Sequence, residues 1–302
     1  MGGGNVGKVK TIQDYEARIR ELHAQIKTQE TKITKCLSLK APKKDIAVVK
    51  KQLEADIETL KSQLNNQLKV WADLVEVIIF QSPEEHYPWK EEDLGHQVRK
   101  MLTKAEIKIE QTADYQAYYQ GVGYAGWIPF IVERKGGKED KKGQGIPNDI
   151  YATLSSAHSR ETFYKEIKRF KDDSRFHEMY LIAECSYEDY IKYVPAYNGR
   201  DDNGHAKRNT NHIGVSVATR EATIAGLEMR GCHVIFAGNR ARAIKMYKDM
   251  IRQWLIKNYP IVLKLDRVVY NDLKVISEKI AYHEAELQAL NASRARLEEA
   301  EA

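Results

Sequence analysis

A short apolar run that ends abruptly in charge constrains this chain more than any other feature. Residues 128–132 are apolar and end in β-branched side chains, and Glu133, Arg134 and Lys135 follow directly before two glycines. Apolar runs of this length are typical of buried strands. Because side chains alternate along a strand, Glu133 and Lys135 share one face and Arg134 lies on the other. The run therefore predicts a buried strand with a carboxylate and an ammonium group at its end.

This pair of groups suits a hydrolytic site that uses a divalent metal ion. A carboxylate is a hard oxygen ligand for such an ion, and an ammonium group beside it can stabilise charge on a scissile phosphate. The same triplet is also typical of a strand that simply emerges into solvent, and a motif this short does not distinguish the two. The surrounding residues favour the site.

Alternating strand and helix patterns predict an α/β domain around this run. Strands are predicted at 75–80, 105–110, 128–135, 179–184 and 232–236, and helices at 93–102, 148–154, 160–171, 215–230 and 240–258. Asn148 and Asp149 are predicted to cap the second of these helices. The order predicts a mixed central sheet flanked by helices.

Both ends of the chain have the spacing of coiled-coil helices. Apolar residues recur every three or four positions through residues 11–75, interrupted near Pro42, and again through the last segment. Three domains are predicted: an N-terminal coiled-coil hairpin at 1–75, a globular domain at 76–262 and a C-terminal coiled-coil helix at 263–302. Packing of the last helix on the hairpin, self-association as a dimer and binding of a partner protein all remain open.

The composition of the sequence excludes a membrane protein. The charged fraction is 30% and the mean hydropathy is −0.58, and no run approaches the roughly 18 apolar residues of a membrane span. Three cysteines without a C-x-x-C pair predict reduced thiols in the cytoplasm. Residues 1–75 carry 14 Lys and Arg against 9 Asp and Glu, which indicates either a solvated helix face or an arm that follows nucleic-acid phosphates.

The charged motif is similar to that of a known nuclease group. An Asp on one strand and Glu-x-Lys on the next, here Asp114, Glu133 and Lys135, resembles the PD-(D/E)xK nuclease superfamily. The order Val-Glu-Arg-Lys at 132–135, a following Asp149, then Ser-Arg at 159–160 and an apolar strand ending in Glu184 resembles its XPF-type nuclease domain. The similarity covers about 76–262 and implies a restriction-endonuclease-like core.

The resemblance implies a metal-dependent DNA endonuclease that uses Mg²⁺ or Mn²⁺. Asp114 and Glu133 are then the metal ligands, and Lys135 orients the attacking water and stabilises the charge on the phosphate. Arg134 is expected either to take part in catalysis or to form a salt bridge with Asp149. No helix-hairpin-helix module follows, so the chain looks more like the compact phage and mobile-element members. A prokaryotic cell or a phage-infected host is the expected setting.

Further residues are expected around this site. A helix beside it carries four candidates for contacts with DNA phosphates: Arg160, Lys165, Lys168 and Arg169. A solvated helix face explains the last three equally well. Glu84 and Glu184 are candidate supporting carboxylates, with Glu184 expected beside Glu133. The family usually has an Asp where this chain has Gln81, so a catalytically inactive nuclease fold that acts as a DNA-binding or scaffold protein is the alternative.

Some residues of a second nuclease motif occur within the polar segment 198–211 and just after it. Its residues hint at an H-N-H metal nuclease: His205, Asn209, Asn211 and His212. That motif requires a β-hairpin followed by a helix, whereas the sequence predicts a loop for this segment. The H-N-H interpretation is therefore the weaker one.

Overall fold

The structure is a computed structural model. It describes residues 10–38, 43–83, 87–101, 113–121, 124–136, 139–140, 143–200, 206–209 and 214–265. The chain divides into two compact units, one formed by 1–74, 121–124 and 255–302 and the other by 75–120 and 125–254. The predicted strand at 105–110 and the heptads of the predicted C-terminal helix from residue 266 onward lie outside the described residues.

The first unit is built on two long helices, α1 (Ile12–Leu37) and α2 (Lys43–Leu74). The Thr11 hydroxyl accepts from the amide of Asp14, whose carboxylate accepts from the Thr11 amide, and this capping box fixes the start of α1. The Trp71 indole near the end of α2 lies 3.5 Å from a Glu16 oxygen near the start of α1, so the helices are antiparallel. Both predicted helices are confirmed.

A one-turn helix, α9 (Tyr259–Val262), belongs to the same unit. The Tyr259 hydroxyl lies 2.9 Å from His23 Nδ1, and Arg20 donates to the carbonyl of Leu263 at 2.7 Å. These two hydrogen bonds attach the segment after residue 258 to α1. None of the described helices, here or in the second unit, is long and apolar enough to cross a membrane.

The second unit contains a six-stranded mixed sheet in the order β2-β1-β3-β4-β5-β8. Its strands are β1 (Val77–Gln81), β2 (Gln97–Lys100), β3 (Tyr115–Gln120), β4 (Ala125–Lys135), β5 (Glu178–Ala183) and β8 (Cys232–Phe236). β1, β3 and β4 are antiparallel neighbours, β5 and β8 continue parallel to β4, and β2 lies parallel to β1 at the edge. The predicted mixed sheet flanked by helices is confirmed.

Helices cover both faces of this sheet. They are α3 (Glu91–Leu94), α4 (Asn148–Ser155), α5 (Ala157–Lys171), α6 (Tyr187–Lys192), α7 (Val217–Met229) and α8 (Arg240–Lys257). On α5, Phe163, Ile167 and Phe170 are buried at helical spacing and join Ile131 and Leu181 of the sheet in one core cluster. Residues of α4, α6 and α7 belong to the same cluster.

An aromatic cluster occupies the opposite face. Trp89 stacks on Tyr115 with ring centroids 4.4 Å apart, and Tyr247 of α8 contacts both rings as well as Phe130 of β4. Offset and edge-on pairs of this kind stabilise a core beyond their buried area. The sheet is therefore enclosed by α4–α7 on one side and by α8 on the other.

Three local predictions were wrong. The predicted helix at 93–102 is the single turn α3 followed by β2, because Gly95 adopts the left-handed conformation with φ 68° that ends helices. The polar segment after 197 contains a two-stranded hairpin, β6 (Tyr197–Arg200) and β7 (Ala206–Arg208), instead of a loop. Pro147 is the N-cap of α4, so Asp149 lies in the first turn and does not cap it.

The Tyr247 hydroxyl provides a first testable prediction. It is buried without a hydrogen-bond partner among the described residues, and burial raises its pKa above the usual range. Because an unpaired buried hydroxyl destabilises the folded state, we expect Tyr247→Phe to raise the free energy of unfolding by about 1 kcal/mol. Urea denaturation of both proteins measures this difference. A less stable variant would show that the hydroxyl has a partner.

Candidate active site

Strand register brings three of the predicted residues to one face. Tyr115 of β3 pairs with Val132 of β4, so Asp114 lies opposite Glu133 and both project to the same side. Asp114 Oδ2 accepts from the backbone amide of Arg134 at 2.9 Å. Lys135 Nζ donates to Glu133 Oε1 at 2.7 Å. The strand ends therefore hold two carboxylates and one ammonium group together.

A third carboxylate reaches the same place from α4. Asp149, in the first turn, accepts from the backbone amide of Gly136 at 3.0 Å. Asp140, in the segment between β4 and α4, instead accepts with Oδ1 from the backbone amide of Gln144 in an exposed turn. Asp149 therefore lies beside the end of β4.

The charge state of Lys135 follows from these neighbours. Burial by itself lowers the pKa of Lys135, but the negative charges of Glu133, Asp114 and Asp149 raise it by more, so the net pKa lies above the usual range. The direction of this shift favours the protonated ammonium group at neutral pH. Lys135 can act as a fixed positive charge and a hydrogen-bond donor, but not as a general base.

Arg134 projects to the opposite face and pairs with Glu184. Its Nε and Nη2 donate to the two carboxylate oxygens, both at 2.7 Å, and the indole of Trp89 donates to Glu184 Oε1 at 2.7 Å. The exposed fraction is 2% for Arg134 and 3% for Glu184. Three donors thus compensate the buried carboxylate, and the pair fastens β4 to the end of β5.

Two expectations about Glu184 and Arg134 were wrong for one reason. In the parallel pair, Arg134 is opposite Ile182 and Glu133 is opposite Leu181. Glu184 therefore shares the face of Arg134 and cannot lie beside Glu133, and Arg134 forms its bidentate bond with Glu184 instead of Asp149. Glu184 does support the site, but from behind the sheet.

Two glycines of the loop after β4 allow a close approach to Glu184. A Cβ on Gly136 would lie 2.1 Å from Glu184 Oε2, and one on Gly145 would lie 1.4 Å from the Glu184 carbonyl oxygen. Gly145 also donates from its amide to the carbonyl of Gly238 at 3.2 Å. Glycine is thus required at both positions because any side chain would displace the loop from the end of β5.

An open cleft of about 330 Å³ lies beside Lys135. Its other walls come from α4 and α5: Ala152, Thr153, His158, Ser159, Thr162, Phe163 and Glu166. Lys135 Nζ lies 5.8 Å from the centre of the Phe163 ring, in cation–π contact. The cleft offers hydroxyl groups and one ammonium group to a bound molecule next to the carboxylates.

The four residues predicted to contact DNA have different surroundings. Arg160 Nη1 donates to the carbonyls of Leu154 and Ser155 at 2.9 and 3.1 Å and thereby closes the end of α4. Lys165, Lys168 and Arg169 are exposed. The last two lie in the final turn of α5, where positive charge also favours the helix dipole. DNA contact by these residues stays a prediction.

The donor set suits a hard divalent cation. Among the described residues, no three His, Cys, Asp or Glu side chains form a group that could hold a metal ion. Mg²⁺, however, is commonly bound by one or two carboxylates together with waters and substrate phosphates, and Asp114 with Glu133 meets that requirement. The predicted supporting residue Glu84 lies outside the described residues.

The structure shows a hairpin where the H-N-H interpretation requires one, and it describes one residue of the motif, Asn209. Asn209, just after β7, is 5% exposed and uses its side-chain nitrogen to donate to the Pro195 carbonyl at 3.0 Å, while its backbone amide donates to Ala196. Asn209 thereby closes the base of the hairpin. His205, Asn211 and His212 lie outside the described residues.

Sequence reasoning missed two polar residues around the site, Trp89 and Gln116. No sequence pattern indicates Trp89, because the hydrogen bond from its indole to Glu184 joins residues that are 95 positions apart. A sequence pattern does indicate Gln116: it follows Asp114 by two positions in a strand, and the period of two along a strand places both side chains on one face.

Comparison with protein-family models, with curated proteins and with solved structures gave no match to this chain. The assignment of the site therefore depends on its residues and their geometry.

Proposed function

We propose that this protein is a divalent-metal-dependent DNA endonuclease, with an XPF-type nuclease domain of the PD-(D/E)xK superfamily and a restriction-endonuclease-like core. The observation that supports it best is the meeting of Asp114, Glu133, Asp149 and Lys135 around the end of β4. Asp114 lies just before β3, Glu133 and Lys135 lie at the end of β4, and Asp149 lies in the first turn of α4.

The chain's own residues account for most of the chemistry. Asp114 and Glu133 hold Mg²⁺ or Mn²⁺, which when bound supplies positive charge at the scissile phosphate and a polarised water. Lys135 stays protonated and donates to the phosphate oxygens as negative charge develops on them. Asp149 keeps Gly136 and the strand end in place through its hydrogen bond. Arg134 acts as a positioning residue because its guanidinium faces away from the carboxylates.

The remaining surfaces serve binding and assembly. The exposed side chains of Lys165, Lys168 and Arg169 on α5 meet DNA phosphates beside the site. The α1–α2 hairpin is a coiled coil that mediates self-association or binds a partner protein. The protein acts in the cytoplasm of a prokaryotic cell or of a phage-infected host.

Cleavage of defined DNA substrates tests the proposal directly. Purified protein is incubated with Mg²⁺, Mn²⁺ or EDTA and with linear, nicked, flapped and four-way DNA. Metal-dependent cleavage of at least one substrate is expected. Cleavage unaffected by EDTA would contradict the proposed chemistry.

Metal binding gives a second prediction. We expect Asp114→Asn and Glu133→Gln each to weaken Mn²⁺ binding by at least about tenfold, because each removes an anionic oxygen ligand. Isothermal calorimetry without DNA measures the dissociation constants. Glu161→Gln is the matched control, since that carboxylate is 68% exposed on α5 and pairs with Lys165. Wild-type affinity in Asp114→Asn would remove Asp114 from the ligand set.

A catalytically inactive nuclease fold that binds DNA or forms a scaffold is the second candidate. One observation favours it: Glu133 lies in a 2.7 Å ion pair with Lys135, and no three His, Cys, Asp or Glu side chains of the described residues form a group that could hold a metal ion. This candidate predicts DNA binding without Mn²⁺ binding or cleavage. The two experiments above distinguish it from the enzyme.

A further inference from the structure

Gln116 carries a buried side-chain amide that lacks a hydrogen-bond partner in the described part of the chain. The residue lies in β3 and is 0% exposed, and neither its side-chain oxygen nor its nitrogen has a hydrogen-bond partner among the described residues. An amide offers two donors and two acceptor positions, and burying them unpaired destabilises a fold. Such a group calls for a partner that the described residues do not supply, and a bound ligand would provide one.

The register places Gln116 next to the predicted metal ligands. It pairs with Ile131 on β4 and with Phe80 on β1, two apolar side chains that offer no hydrogen bonds. On the same face, Asp114 lies two residues before it and Glu133 lies two residues beyond Ile131. Residues two apart in one strand, such as Asp114 and Gln116, are about 7 Å apart between Cα atoms, and diagonal neighbours on adjacent strands, such as Gln116 and Glu133, are about 7–8 Å apart. This gap suits side chains that share one ion with ligand distances of about 2.0–2.6 Å.

We propose that Gln116 gives its side-chain oxygen as a third protein ligand to the divalent ion that Asp114 and Glu133 hold. The inference rests on the proposed function and extends its ligand set. Two carboxylates already balance the charge of the ion, so a neutral amide adds a ligand without adding repulsion. Because Gln116 is more deeply buried than Glu133, which is 8% exposed, it binds the inner side of the ion and leaves the outer side to water and substrate.

Opposite effects on stability and on metal binding test this role. Gln116→Met keeps the side-chain length and removes the unpaired amide, so without metal its Tm rises by about 2–4 °C. Its Mn²⁺ dissociation constant, measured by calorimetry without DNA, rises by about tenfold or more. Gln116→Glu has the reverse pattern: without metal its Tm falls, because a third carboxylate repels Asp114 and Glu133, while Mn²⁺ affinity is retained or increased.

Tyr247→Phe is the matched control. It also removes a buried hydroxyl that has no partner among the described residues, but on the opposite face of the sheet. Its Tm therefore rises while its Mn²⁺ affinity stays at the wild-type value. The control separates a general effect of higher stability from the loss of a ligand.

The outcomes are distinguishable. If the wild-type protein binds Mn²⁺ and Gln116→Met binds it equally well, Gln116 is not a ligand and the proposed function stands. A lower Tm for Gln116→Met would also overturn the inference, because the amide would then be satisfied within the protein. If the wild-type protein binds no Mn²⁺, the proposed function and this inference fail together.

Discussion

Replacing Arg134 by Met should destabilise the protein by about 3–5 kcal/mol, the cost typical of breaking a buried ion pair by removing one partner. The variant leaves the carboxylate of Glu184, 3% exposed, with the Trp89 indole as its remaining side-chain donor among the described residues. Urea denaturation of the two proteins gives the difference in free energy of unfolding. A loss of stability of this size would show that the main role of Arg134 is to stabilise the fold.

A second substitution tells whether the buried charge causes the loss. Glu184→Gln keeps an acceptor for Trp89 and removes the charge, so the double variant Arg134→Met/Glu184→Gln should recover most of the lost stability. The matched surface cycle uses Lys165→Met and Glu161→Gln, whose side chains are 74% and 68% exposed, and should give a coupling of about 0–1 kcal/mol. An Arg134→Met variant as stable as the wild type would contradict the structural role.

The stability measurement also distinguishes the two roles of Arg134 that the sequence left open, a part in catalysis and a structural salt bridge. A catalytic arginine would lower cleavage in a variant that remains folded, whereas a positioning arginine lowers stability together with activity. Partial recovery of cleavage in the double variant would support positioning, since Glu184 lies behind the sheet and touches none of the proposed ligands.

Local patterns predicted the parts of the site that depend on alternation within one strand. Glu133 and Lys135 fall on one face because a strand has a period of two, and the buried run fixed where β4 ends. The resemblance added Asp114 and Asp149. The order of these residues in the motif was enough to predict that they lie near Lys135, without knowledge of contacts between distant strands.

Pairing between distant strands was not predictable in the same way. Arg134 meets Glu184 only because Arg134 pairs with Ile182, and a shift of that register by one residue would have moved Glu184 to the other face. β2 was missed because a single left-handed glycine, Gly95, ends α3 after one turn. The polar segment after residue 197 lacked the alternation that would reveal a hairpin.

The other large effect concerns chemistry. We expect Lys135→Met to reduce the rate of metal-dependent cleavage by about 10²–10³-fold or more, because it removes the donor that meets charge developing in the transition state. Mn²⁺ binding should be retained or become tighter, since the ammonium group at 2.7 Å competes with a cation for Glu133. Single-turnover cleavage and calorimetry on the same preparation measure the two effects.

The matched control is Lys192→Met, an exposed lysine in the last turn of α6, which should cleave at the wild-type rate. The pH dependence provides a further check on the role of Lys135. Its pKa is raised above the usual value of about 10.4, so its stabilising charge is present below that value and is lost only as the pH rises through the higher folded-state pKa. We therefore expect that Lys135 causes no fall in the cleavage rate between about pH 7 and 10. Any fall that the wild-type protein shows in this range should also appear in Lys135→Met. A fall that disappears in the variant would mean that Lys135 loses its proton in this range and that cleavage needs its protonated form, which would contradict the raised pKa.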